Sequence, residues 1–213
     1  LMFLLVTLSP SAVMSQSPPV TAGLIAHYNA DSWTGSQWTD VSGAGNHVTE
    51  VGGTTNISVA RPVGAPAYVH GASTAWMKFP AGILPSAQYT LFYVARYNGP
   101  TRGRILQGVD TNWLSGFDGK AGVAYHGSCA LLSSSVDLHG SDWVVGSDRS
   151  DSFRSNGVDR SVQNACLQFD RLAINAGTNA AQPSDFAIQS ILVYNRKLTE
   201  MDVATIESWL APC

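Results

Sequence analysis

The chain carries only three glutamates, Glu50, Glu200 and Glu207, and that scarcity bounds the acid–base chemistry open to it. Hydrolysis of a glycosidic bond needs two carboxyl groups facing each other across the bond, one as acid and one as base or nucleophile. No strand-like run places two acidic side chains on one face. Asp148 and Asp151 are close in sequence, but Asp148-Arg149-Ser150-Asp151 reads as a solvated loop. The five histidines, His27, His47, His70, His126 and His139, are dispersed without H-x-x-x-H or H-E-x-x-H spacing, so a metal site or histidine base has no local support. Neither a G-x-S-x-G elbow nor a glycine-rich phosphate loop is present. This pattern predicts a protein that is not an enzyme and carries no cofactor.

Charge excludes a second class. Lys and Arg number 12 against 15 Asp and Glu, for a net charge of −3, and no block of like charge occurs. Nucleic-acid binding requires a basic stripe to neutralise phosphates, so no nucleic-acid partner is expected. The three cysteines, Cys129, Cys166 and Cys213, lack metal or redox spacing. A Cys129–Cys166 disulfide with Cys213 left over is the expectation; three unpaired cysteines is the alternative. Asn56-Ile57-Ser58 is the one N-glycosylation sequon, in a Gly/Thr-rich stretch that reads as an exposed loop.

The elements that would position any site are short β-rich runs separated by Gly, Pro, Asn and Asp. Leu24–Asn29, Trp76–Phe79, Tyr89–Tyr97, Arg104–Gly108, Asn112–Phe117 and Gly122–Tyr125 read as strands. Trp143–Gly146, Ser152–Ser155, Arg171–Asn175 and Phe186–Tyr194 continue the series. Asn156-Gly157 marks a hairpin, because its turn needs positive φ at both central residues. Thr199 can cap a helix over Glu200–Leu210, with Val203, Ile206 and Leu210 at helical spacing. The fold class is therefore all-β, a two-sheet antiparallel sandwich with one short C-terminal helix.

Three motifs, in order, resemble those of the concanavalin A-like superfamily, laminin G-like branch. Trp38-Thr39-Asp40-Val41-Ser42-Gly43-Ala44-Gly45-Asn46 resembles its W-x-D-x-S-G-x-G-N loop, Phe153–Val158 its strand–Asn-Gly–strand hairpin, and Asp185–Leu210 its closing strand and helix. The resemblance implies a jelly-roll domain over residues 20–213. Trp38, Asp40, Ser42, Gly43, Gly45 and Asn46 read on their own as a structural corner, since the glycines permit positive φ and the polar side chains satisfy loop backbone. The resemblance also implies two kinds of ligand. Calcium, which takes six to eight oxygens, has only weak candidates in Asp110, Asn112 and Asp118. Glycans need an exposed aromatic platform, for which Trp33, Trp113, Tyr125 and Trp143 lie beside loops or strand ends.

Residues 1–19 form a separate segment. Leu1, Met2, Phe3, Leu4, Leu5, Val6 and Leu8 are apolar on both strand faces and precede a Ser/Pro linker. The run is too short for a membrane-spanning helix. Its burial is worth on the order of 10–15 kcal/mol before entropy costs, which predicts an arm that docks on a neighbouring copy or on its own domain. The first expectation is an extracellular or cell-surface structural subunit, assembled head to tail with copies of itself into a filament or layer. The alternative is a secreted carbohydrate-binding module or lectin whose apolar N-terminus is an uncleaved leader.

Overall fold

A computed structural model of the protein describes residues 17–85, 88–127, 136–162, 170–178 and 182–211. The assembly-arm residues Leu1–Leu8 and the cysteines Cys129, Cys166 and Cys213 lie outside the described residues.

In chain order the strands are β1 (Leu24–Asn29), β2 (Glu50–Gly53), β3 (Ser58–Ala60), β4 (Tyr68–Gly71), β5 (Ala75–Lys78), β6 (Thr90–Tyr97) and β7 (Leu106–Gly108). They continue with β8 (Trp113–Phe117), β9 (Ala121–His126), β10 (Val144–Arg149), β11 (Ser152–Ser155), β12 (Val158–Asp159), β13 (Leu172–Ile174) and β14 (Phe186–Tyr194). One α-helix among the described residues, α1 (Glu200–Leu210), follows. The strands form two antiparallel sheets. The first runs β12-β11-β10-β6-β14-β4-β3, and β1 joins it by pairing with β14; the second runs β2-β5-β13-β7-β8-β9. The far edge of β14 is shared end to end, its first residues pairing with β4 and its last with β1.

Alternation along β6 shows how the sequence builds two cores. Leu91, Tyr93, Ala95 and Tyr97 point between the sheets, among Tyr28, Trp38, Phe79, Trp113 and Phe117. Phe92 and Val94 point to the outer face, where they meet Leu192, Tyr194 and the helix residues Val203, Ile206 and Leu210. Thr199 caps α1 by accepting the Asp202 N–H, and the three apolar side chains dock it with roughly 5–9 kcal/mol of burial before entropy costs. The sheets close tightly because Gly146 on β10 leaves room for the Tyr93 ring; a Cβ there would fall 2.1 Å from Tyr93 Cζ. The Asn156-Gly157 turn joins β11 to β12 with φ of 49° and 77°.

One sequence reading is corrected. Asp148 and Arg149 are not in a solvated loop: β10 runs on through both, paired with Leu91 and Thr90 of β6. Asp148 is fully buried. It accepts hydrogen bonds from Tyr89 Oη (3.0 Å) and from His126 Nε2 (3.1 Å), and these partners are what allow a carboxylate to sit in the sandwich.

Candidate functional site

On the outer face of the first sheet a cluster of side chains gathers around Arg96. Arg96, next in alternation after Phe92 and Val94, emerges there from β6. Tyr68 from β4 and Trp143, just ahead of β10, lean over it from either side. Their rings meet at 5.5 Å between centroids and 63°. The Arg96 guanidinium lies 4.7 Å from the Trp143 ring centre and 5.4 Å from that of Tyr68, inside the range of cation–π attraction. His70 meets the other side of Tyr68 at 5.8 Å. All four side chains are half-buried, so the cluster is held in place yet keeps contact with solvent. Arg96 Nη2 donates to Asn98 Oδ1 (3.3 Å), while its buried Nε has no hydrogen-bond partner.

Trp143 is also one wall of a groove of about 450 Å³ between α1 and the β10–β11–β12 ribbon. Val145, Ala204 and Ala211 supply further apolar lining, and Arg154, Asn156, Glu207 and Ser208 the polar groups. Three of these polar groups, Arg154, Asn156 and Glu207, are held in place by hydrogen bonds. Glu207 accepts from Ser147 Oγ (2.7 Å), Arg154 Nε (2.9 Å) and Arg154 Nη2 (3.1 Å). The hydrogen bonds that Arg154 donates to Glu207 raise the Arg154 pKa above its ordinary value. Arg154 Nη2 also donates to the Gly157 carbonyl (2.7 Å), and Asn156 Oδ1 accepts the Val145 N–H (2.8 Å). An aromatic wall with a few immobilised donors and acceptors is the composition of a small-molecule site.

Of the four aromatic candidates read from sequence, Trp143 alone lines this groove. Trp113 is corrected: it is fully buried, stacked on His126 at 5.6 Å and 21°, with Nε1 donating to Tyr89 Oη (3.1 Å). It offers no face to a ligand. Trp33 is half-buried in the loop after β1, packed on the main core and bridged to Trp38; Tyr125 is half-buried on the edge strand β9. The calcium candidates are corrected as well. Asn112 and Asp118 do converge, but on a cation of the protein: Arg104 Nη1 donates to Asn112 Oδ1 (2.6 Å) and Nε to Asp118 Oδ1 (3.2 Å). Asp110 is exposed, with its backbone N–H on Asp170. No cluster of three or more His, Cys, Asp or Glu able to hold a metal occurs among the described residues. Asn56 lies exposed in the loop between β2 and β3.

The Trp38–Asn46 loop forms a hydrogen-bonded corner built on Asp40. Asp40 accepts the N–H groups of His27 (2.9 Å), Ser42 (2.8 Å) and Asn46 (3.0 Å). Burial alone would raise its pKa, but these three donors hold the carboxyl below its ordinary value. Asn46 Nδ2 donates to the Ile25 carbonyl (2.7 Å), buried Trp38 donates from Nε1 to the Asn29 carbonyl (2.7 Å), and Gly43 and Gly45 take φ of 91° and 79°.

Tyr68, Arg96, Arg154 and Glu207 were missed from sequence. Two of them left a signal. Arg96 is the one charge in an apolar strand, and Glu207 stands four residues after Val203, inside the apolar stripe of α1. A charge on a buried face marks a position with a partner.

No protein-family model matches the chain, and no curated protein matches it in sequence. Solved structures do resemble it. Domain 4 of AbnA, a GH43 extracellular arabinanase of Geobacillus stearothermophilus solved in complex with arabinotriose, aligns with a TM-score of 0.64 at 17% identity, over 89% of this chain and 99% of that domain. The Trypanosoma rangeli sialidase aligns with a TM-score of 0.56 at 19% identity, over 92% of this chain but only 36% of the sialidase. The binding domain of Paraclostridial Mosquitocidal Protein 1 aligns with a TM-score of 0.58 at 9% identity, over 88% of this chain and 52% of that one. The shared property is the β-sandwich fold, compatible with a concanavalin A-like jelly roll. The arabinanase and the sialidase are named as enzymes of carbohydrates. On that finding the expectation of a self-assembling filament or surface-layer subunit is withdrawn.

Proposed function

We propose that the chain is a carbohydrate-binding domain of the concanavalin A-like, laminin G-like kind, which binds a short saccharide outside the cell and does not cleave it. The observation that carries this reading is the Trp143–Tyr68 pair over Arg96, set beside a groove whose polar groups are already hydrogen-bonded in place. Ring faces offer an apolar platform to the C–H face of a sugar, while Arg154 and Asn156 supply hydroxyl partners at fixed positions, with Ser208 on the rim. The arabinotriose held by the arabinanase domain supports an oligosaccharide as ligand. Glu207 and Glu200 are engaged by arginines, Glu200 by Arg149 at 2.5 Å. Carboxyl groups held by arginines in this way do not face each other across a glycosidic bond.

Calorimetric titration with arabinotriose, followed by a panel of linear oligosaccharides, tests the reading. Replacing Trp143 by Ala should weaken the best ligand by about 2 kcal/mol, some thirtyfold in Kd, without lowering the unfolding midpoint by more than a few degrees. Absence of binding to every glycan on a broad array, or equal affinity in W143A, would sink the proposal.

A further inference from the structure

Arg96 carries a positive charge that no carboxylate among the described residues meets. Seven of the nine arginines form ion pairs. Among the described residues Arg96 and Arg160 do not, and of these two only Arg96 is packed against aromatic rings. Those rings keep part of its hydration shell away, and cation–π attraction offsets only some of that loss. Register sets what else faces it. Ala187 of β14 pairs with Arg96 on one side and with His70 on the other, so the imidazole adds an N–H donor to the same face. Asp185, two residues ahead of Ala187, turns its oxygens to backbone, accepting the Ser73 N–H (2.8 Å) and the Thr101 N–H (2.9 Å). Glu207, in the groove beside Trp143, is held by Arg154 and Ser147. The cluster thus presents a cation and further donors, while Asp185 and Glu207 are already engaged.

The guanidinium can be reached from outside. Its Nε is sealed from water, and Nη2 donates to Asn98 Oδ1 at 3.3 Å. Nη1 has no hydrogen-bond partner among the described residues and, unlike Nε, touches solvent. A half-buried guanidinium with open N–H groups favours an anionic oxygen over a hydroxyl, because charge-assisted hydrogen bonds are roughly twice as strong as neutral ones. We infer that the saccharide held at Trp143 is an acidic one, whose carboxylate or sulfate oxygen is received by Arg96 Nη1. Adjacent groups then read different parts of one ligand, Trp143 and Tyr68 the sugar ring and Arg96 its charge. The inference rests on the proposed function and narrows its ligand class.

The test titrates the full chain with the neutral trisaccharides of galactose, glucose and mannose, and with the uronic acid and the sulfate ester of each. In about 20 mM salt at least one acidic form should bind roughly tenfold tighter than its neutral parent. That advantage should shrink to about threefold or less in about 0.5 M salt. Which form gains tells carboxylate from sulfate. Arg96→Gln should bind that acidic form and its parent alike, and Arg96→Lys, which keeps the charge, should retain part of the preference. Trp143→Ala should weaken both forms together. If every neutral form that binds does so as tightly as its acidic derivatives, the inference falls and the proposed function stands; if nothing binds at all, both fall. A preference that survives in R96Q would also overturn the inference.

Discussion

Asp40 shows how much one side chain can organise. Its two oxygens take three backbone N–H groups contributed by β1 and by both ends of a glycine-bearing loop. Asp40→Ala strands those donors in a partly dry corner, at roughly 3 kcal/mol. Chemical denaturation should show that loss in the midpoint with an unchanged m-value. Affinity for a saccharide at Trp143 should stay within twofold, which separates a structural corner from a ligand loop. The chemistry of this motif was legible in sequence, because Asp, Ser and Asn among glycines have few uses other than satisfying a turn. The role of Trp113 was not: a Trp beside a loop signal looks the same whether its ring faces water or, as here, is packed on His126.

At the scale of elements, α1 is joined to the sheet by more than apolar packing. Glu207 sits inside its buried stripe and ties it to Ser147 on β10 and Arg154 on β11. Removing one partner of such a pair leaves the other desolvated, whereas replacing both with apolar groups of similar volume can be neutral. Glu207→Ala should therefore cost about 2–3 kcal/mol, and the double replacement Glu207→Leu with Arg154→Met should recover most of it. A double-mutant cycle on unfolding midpoints measures the difference. Alternation made β1 readable, long runs of β-branched, aromatic and other apolar residues made β6 and β14 so, and the cap at Thr199 placed α1. β2, β3 and β4 escaped notice because they are only four, three and four residues long, and β2 and β3 are built largely from Gly, Ser and Ala. Pairing with neighbours, not propensity, makes them strands. β10 was cut short for a related reason: Ser-Asp-Arg resembles a turn until β6 is beside it.

For the whole molecule, two buried histidines set opposite limits on the pH range. Burial pushes the His27 pKa down to about 4, against a smaller upward pull from Asp40. Below about pH 6.5 the unfolded chain takes a proton that folded His27 refuses, so stability falls as pH drops from there towards 4, by about 3 kcal/mol across the window. His126 moves the other way. Burial would lower its pKa, but the Asp148 carboxylate and its hydrogen bond raise it above the ordinary value. Its contribution is complete below about pH 6.5 and is lost as pH rises through the folded value. Tm plotted against pH should therefore peak near 6.5. His27→Gln should flatten the acid limb and His126→Gln the alkaline one; coincident curves for wild type and both variants would refute the assignment. Nothing in the sequence announced either group, since isolated histidines carry no pattern and their environments come from strands far away in the chain.

β14, which lies between β6 on one side and β1 and β4 on the other, also fixes a timetable for synthesis. The first strand of the domain and nearly the last are neighbours, so when the ribosome has made β1, β4 and β6 their hydrogen-bonding edges have nowhere to go. Until residues 186–194 emerge, the growing chain carries open edges of the kind that pair with other molecules. The first sheet therefore closes only once β14 has been made, and any truncation before Tyr194 leaves a half-built sandwich with three strands waiting for a common partner.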